Sequence, residues 1–132
     1  MSRKDEMAGI ARLAGVVSDA AQARLAAQLR RIEELRTSLA ALEGKRRSRA
    51  LELTEPDAAL LGGADLRWHR WIDGRRAMLN AELARALAEA GRARAALVQA
   101  FGRKLASEAL AREASAERAR LAARRAERDQ AS

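Results

Sequence analysis

The stretch LELTEPDAALLGGAD, residues 51–65, decides how the rest of the chain is arranged. It holds the chain's one proline, Pro56, and a Gly62-Gly63 pair, and helical periodicity breaks across it. Thr54 can cap a helix N-terminus, Pro56 suits a first helical turn, and Asp57 follows the threonine at capping-box spacing. Gly62 and Gly63 end whatever short turn follows, and Asp65 can cap the next helix. A connector this short folds the segment after it back beside the segment before it. Its alternative, one continuous helix in a parallel dimer, is disfavoured by Pro56 and the glycine pair.

Upstream, from about residue 4 to 50, the large apolar residues fall at Ile10, Leu13, Val17, Ala21, Leu25, Leu29, Ile32, Leu35, Leu39 and Leu42. Most steps are three or four, which is a helix with a coiled-coil seam. The three consecutive steps of four from Val17 to Leu29 predict a stutter, where the supercoil unwinds. Downstream, from about 66 to 128, the period resumes at Trp68, Ile72, Leu79, Leu83, Leu87, Ala90, Leu97, Phe101 and Leu105. It then thins to Leu110 and Leu121. Gly91 and Gly102 lie inside this second helix, where each costs about 1 kcal/mol relative to alanine. Among so many alanines they predict close helix–helix approach. The last stretch, SAERARLAARRAERDQAS, is weakly amphipathic and is expected to fray. The expected fold is all-α: a long antiparallel two-helix coiled-coil hairpin forming a single domain over residues 1–132.

Composition agrees with thin packing. Roughly a quarter of the chain is alanine, and its three aromatic residues are Trp68, Trp71 and Phe101. Such a chain builds a narrow seam and no broad core. There is no cysteine, which excludes disulfides and thiolate metal sites. The net charge of +8 divides unevenly: residues 1–50 and 67–132 are basic, and residues 51–66 are acidic. A basic surface suits nucleic acid, anionic lipid or an acidic protein partner. No window reaches the ~18 apolar residues of a membrane span, so no membrane insertion is expected. Asp5, Glu6 and Arg12 interrupt the apolar residues near the N-terminus, so a secretory leader is not expected and the cytoplasm is the default compartment.

The residue types of chemistry are sparse. His69 is the single histidine, with Asp65 and Asp73 four residues to either side. A triad would need an activated serine and a pocket, which a hairpin does not offer. His69 reads as a solvated residue with helical neighbours, and Gly62-Gly63 lacks the Lys-Ser/Thr of a phosphate loop. No catalytic residue, cofactor or metal site is expected, and the chain is read as a non-enzyme. The run KRRSR, residues 45–49, complements the C-terminal end of the first helix dipole, or offers a patch to an acidic partner. The tryptophans divide. Trp68 shares a stripe with Ile72, Leu79 and Leu83 and belongs to the seam. Trp71 is rotated away, towards Arg75 and Met78. It either covers the connector by packing on Leu60-Leu61, or anchors a partner, since Trp beside Arg is a common hot-spot pair. Stacking on single-stranded nucleic acid is a further reading.

The apolar ladder from Ile10 to Leu42, the interrupted connector and the restart RWHRWIDGRRAMLNAEL (residues 67–83) together resemble one family. It is the stalk proteins of flagellar and type III secretion export ATPases (FliJ-like). The resemblance implies an antiparallel hairpin with its chain ends together, located in the cytoplasm and peripheral to the membrane-bound export apparatus. It implies three partners: a hexameric export ATPase, the membrane protein of the export gate, and substrate chaperones. The ATPase would supply the chemistry. By position, Arg12, Arg118, Arg120 and Arg124 would lie near the ring, and Trp68, Trp71, Arg75 and Arg76 near the gate. Two other readings stand beside it. One is a basic helical nucleic-acid-binding protein, which the interspersed Glu and Asp argue against. The other is a structural coiled coil that dimerises through the end of its second helix.

Overall fold

A computed structural model describes residues 2–52 and 62–131, and these fall in two long helices packed against each other as an antiparallel hairpin. Helix α1 spans Arg3–Glu52 and helix α2 spans Gly62–Ala131. The caps expected of Thr54, Pro56 and Asp57, and the Leu60-Leu61 packing surface, lie outside the described residues. Gly62 and Gly63 belong to the first turn of α2, and the turn they were expected to end lies outside the described residues. Glycine is tolerated at an N-terminal turn, where the backbone N–H groups have no helical partner to lose. Asp65 therefore sits in the first turn, where a carboxylate complements the helix dipole. The last stretch of α2 continues as helix to Ala131, with residues 116–131 all exposed. Its alanines, arginines and glutamates are strong helix formers that need no packed face.

Helix α1 opens on a capping box. The Ser2 Oγ accepts from the Asp5 backbone N–H at 3.3 Å and donates to the Asp5 carboxylate at 2.9 Å. Hydrogen bonds to it from the Ser2 hydroxyl and backbone, aided by Arg118, hold the Asp5 carboxyl below its ordinary value. The ionised carboxylate's part of the cap is therefore present above the usual carboxylate pKa and is lost as pH falls through the depressed one.

The chain forms two compact units, each with segments of both helices. One joins residues 1–25 to 92–132, and the other is residues 26–91. In the second unit the helices run antiparallel, with Arg31 Nη2 at 2.8 Å from Glu82 and Arg49 Nε at 3.0 Å from Asp65. Its seam is conventional. Ile32, Leu35 and Leu42 of α1 are buried with Ile72, Leu79, Ala86 and Ala90 of α2, and Leu35 and Ile72 are only 2% and 1% exposed.

The unit that holds the chain ends packs differently. It too is antiparallel, with Arg118 Nη1 donating to Ser2 Oγ at 2.9 Å and Arg3 at 3.8 Å from Glu117. Its buried residues are small: Ser18, Ala21, Ala100 and Ala114. Around them Met7, Ala11, Ala14 and Leu25 of α1, and Ala93, Leu97, Ser107 and Ala111 of α2, are half-buried. Lys104 is also half-buried, with Nζ 5.9 Å from the Phe101 ring centre. The steps from Met7 to Leu25 alternate four and three, the heptad spacing of a coiled-coil seam. Side chains this small let the helix backbones approach closely.

This corrects four sequence expectations. Ile10, Leu13, Val17 and Leu29 are not seam residues but are about half or more exposed. The stutter from Val17 to Leu29 is therefore not a feature of the seam, whose spacing is regular. On α2, Leu87, Phe101 and Leu105 also face outward. Finally, Gly91 and Gly102 do not mark close approach: a methyl group added at either meets nothing within 4 Å.

Two stability outcomes follow. Ser18→Leu, although it adds an apolar residue, should destabilise by about 1–3 kcal/mol through overpacking. Gly102→Ala should stabilise by about 0.5–1 kcal/mol. Urea melts followed by circular dichroism check both, and a stabilising Ser18→Leu would contradict the small-residue seam.

Candidate functional site

The surface offers open grooves between the paired helices. Two lie in the unit formed by residues 26–91. A groove of about 210 Å³ is lined by Trp71, Arg75, Lys45, Leu42, Leu79 and Ser38, among others. A second, of about 480 Å³, is lined by Arg76, Arg46, Arg47, Glu43 and Leu39 with their neighbours. Trp71 is 55% exposed and Met78, two helical turns on, is 57% exposed. Trp71 thus presents indole surface in a groove that it shares with two cations, Lys45 and Arg75. That arrangement suits an apolar group attached to an acidic chain.

Trp68 has a different setting. The Arg49 guanidinium carbon lies 4.5 Å from the centre of its ring, and His69 meets it edge-on at 5.2 Å. Arg49 also donates to Asp65, whose other oxygen is 3.4 Å from His69 Nε2. Asp65, Arg49, Trp68 and His69 form one intramolecular cluster close to the connector. The guanidinium is held by a carboxylate in its plane and an indole on its face, the two contacts its geometry favours. Trp68 is half-buried by this cluster. The four residues named near the connector are therefore not equivalent: Trp71 and Arg75 share one groove, Arg76 lines another, and Trp68 is engaged internally.

Sequence reading missed the role of Arg49. It was grouped with Lys45, Arg46, Arg47 and Ser48 as a basic run at a helix end. The helix runs on to Glu52, and the heptad that passes through Leu42 reaches Arg49 on the seam side. That spacing, with an acidic residue in the first turn of the returning helix, was the available signal.

In the chain-end unit, a groove of about 470 Å³ is lined by Arg3, Lys4, Glu117, Arg118, Leu121 and Arg125 with small neighbours. Arg118 is tied to the cap through Ser2. Arg120 and Arg124 are exposed on the last turns of α2. Arg12 is exposed as well, but stands ten residues along α1 from Ser2, about 15 Å of helix rise. The structure thus gathers Arg118, Arg120 and Arg124 near the helix end and leaves Arg12 apart from them.

Comparison of the chain with protein-family models, characterised proteins and solved structures finds no match. Among the described residues no helix is long and apolar enough to cross a membrane.

Arg49→Met should cost about 1–2 kcal/mol, since it removes a half-buried ion pair and a cation–π contact together. In a Trp71→Phe background, Trp68 is the sole indole, and its emission should shift in the same variant. An unchanged melt and spectrum would show that Arg49 does not hold the cluster.

Proposed function

We propose that this chain is a non-enzymatic stalk or adaptor of a flagellar or type III protein export apparatus. In this reading the paired chain ends enter and regulate the ring of a hexameric export ATPase. The unit of residues 26–91 contacts the export gate or substrate chaperones. The protein would then reside in the cytoplasm, at the membrane-bound apparatus, and the ATPase would carry the chemistry. One observation supports the reading most: Ser2 and Arg3 are bonded to Arg118 and Glu117, which brings the first turn of α1 beside the late turns of α2. A basic, closed helical end of this kind fits a ring lined by acidic loops, because complementary charge speeds encounter and discourages wrong partners. The exposed Trp71, in a groove shared with Lys45 and Arg75, would supply a separate surface for the second partner.

Adding the protein to an export ATPase of its own organism should raise hydrolysis or promote hexamers. Replacing Arg118, Arg120 and Arg124 together by Glu should weaken that effect on the order of tenfold at low salt. Trp71→Ala should leave the stimulation intact and reduce gate or chaperone binding. No change in hydrolysis or assembly at saturating protein would refute the proposal.

A further inference from the structure

The seam face of α2 in the chain-end unit runs on past the first turn of α1. Its two positions recur by heptads. One passes through Ala100, Ser107 and Ala114, the other through Leu97, Lys104 and Ala111, and all six are buried or half-buried. Helix α1 begins at Arg3, and the Arg3–Glu117 and Ser2–Arg118 contacts set that first turn beside Glu117 and Arg118. The next seam residues are Leu121 and Arg128 at one position and Arg118 and Arg125 at the other. All are exposed, as is everything from 116 to 131. Leu121 is 47% exposed at the position where Ala114, one heptad earlier, is 5% exposed. It forms part of the groove of about 470 Å³.

This length of seam carries one sign of charge. Arg118, Arg125 and Arg128 surround Leu121, while Glu117, Glu127 and Asp129 fall at other heptad positions. At the positions flanking the seam, Glu117 is already paired with Arg3, and Asp129 is offset by Arg124. The first turn of α1 adds no net charge, since Arg3 and Lys4 precede Asp5 and Glu6. The excess of cations on the seam therefore stands. Arg125 forms no ion pair among the described residues. The helix dipole does not account for this charge, because its effect is confined to the last turn, and Arg118 and Arg125 precede that turn.

The register says what shape fits. Seam positions are where one helix receives another, and small residues such as Ala114 and Ala122 in the groove let it come close. A second copy of α2 does not suit, because either direction of pairing sets arginine against arginine. Single-stranded nucleic acid does not suit either: residues 116–131 offer no aromatic ring for bases to stack on. We infer that the seam face of α2 from Arg118 to Arg128 is the docking site for an acidic amphipathic helix of a partner protein. That helix lays an apolar side chain on Leu121 and carboxylates against Arg118 and Arg125. The inference goes beyond the stalk reading, since it assigns the element recognised and holds whether or not the partner is an export ATPase.

The test is fluorescence anisotropy of the full chain with a labelled helical peptide of about three heptads, carrying Leu at one seam position and Glu at the others. The acidic peptide should bind. Its counterpart with Lys for Glu, and one with the same residues scrambled around the helix, should not. Arg125→Glu, which breaks no intramolecular bond, should weaken binding about tenfold, and Leu121→Ala several-fold. Arg94→Glu with Arg112→Glu reverses two charges away from the seam and should change it by less than about twofold at physiological salt. Circular dichroism should show unchanged helix content in each variant. Equal binding of the scrambled peptide would overturn the inference, as would a loss with Arg94→Glu and Arg112→Glu as large as that with Arg125→Glu. So would a single-stranded oligonucleotide that binds more tightly than the peptide at the same salt. Stimulation of an export ATPase without peptide binding would overturn this inference and leave the stalk reading standing; peptide binding without stimulation would do the reverse.

Discussion

Everything in this fold depends on how two helices fill a seam when few large apolar residues are spent on it. Burial of apolar side chains is the main favourable term available to such a chain, and there is one narrow place to put them. In the unit spanning residues 26–91 the seam is filled by Ile32, Leu35, Leu42, Ile72 and Leu79. In the chain-end unit its buried positions are Ser18 and alanines, with Met7, Leu25 and Leu97 half-buried beside them. Small residues bury less area per side chain, so close backbone packing must supply dispersion contacts instead. Large residues are then free to sit on the flanks, and there they are found.

That difference explains what could be read from the sequence. The all-helical hairpin was legible from the broken period at residues 51–65 and the two long helical patterns around it. The seam from Ile32 to Leu42, and its counterpart at Ile72 and Leu79, was legible too, because size and position coincide there. In the chain-end unit they do not. Counting large residues picked Ile10, Leu13 and Val17, which share a helical stripe with one another but not with the seam. The unbroken alternation Met7, Ala11, Ala14, Ser18, Ala21, Leu25, Gln28, Ile32, Leu35 carried the correct register. It was hidden because alanine and serine do not register as core-forming on a hydrophobicity count.

The candidate sites follow the same logic. Trp71 was legible as an outward-facing tryptophan beside Arg75, since its rotation from the Ile72 stripe is fixed by helical geometry. The engagement of Trp68 by Arg49 and Asp65 was not, because it depends on which residues face one another across the pair. The choice between connector packing and partner docking for Trp71 lies outside the described residues. Its indole is exposed and shares a groove with Lys45 and Arg75. At the chain ends, the Ser2–Asp5 box and the Arg118 bond to Ser2 join a helix cap to the opposite helix.

The central claim is that the small-residue face, and not the large-residue stripe, is the seam of the chain-end unit. Thiol labelling tests it most directly, because the chain contains no cysteine of its own. Ser18→Cys and Leu13→Cys would be labelled separately under native conditions, at dilution where the protein is monomeric. The account predicts rapid modification of the Leu13→Cys protein and strong protection of the Ser18→Cys protein. Protection of the former with ready labelling of the latter would place the large-residue stripe in the seam and contradict it.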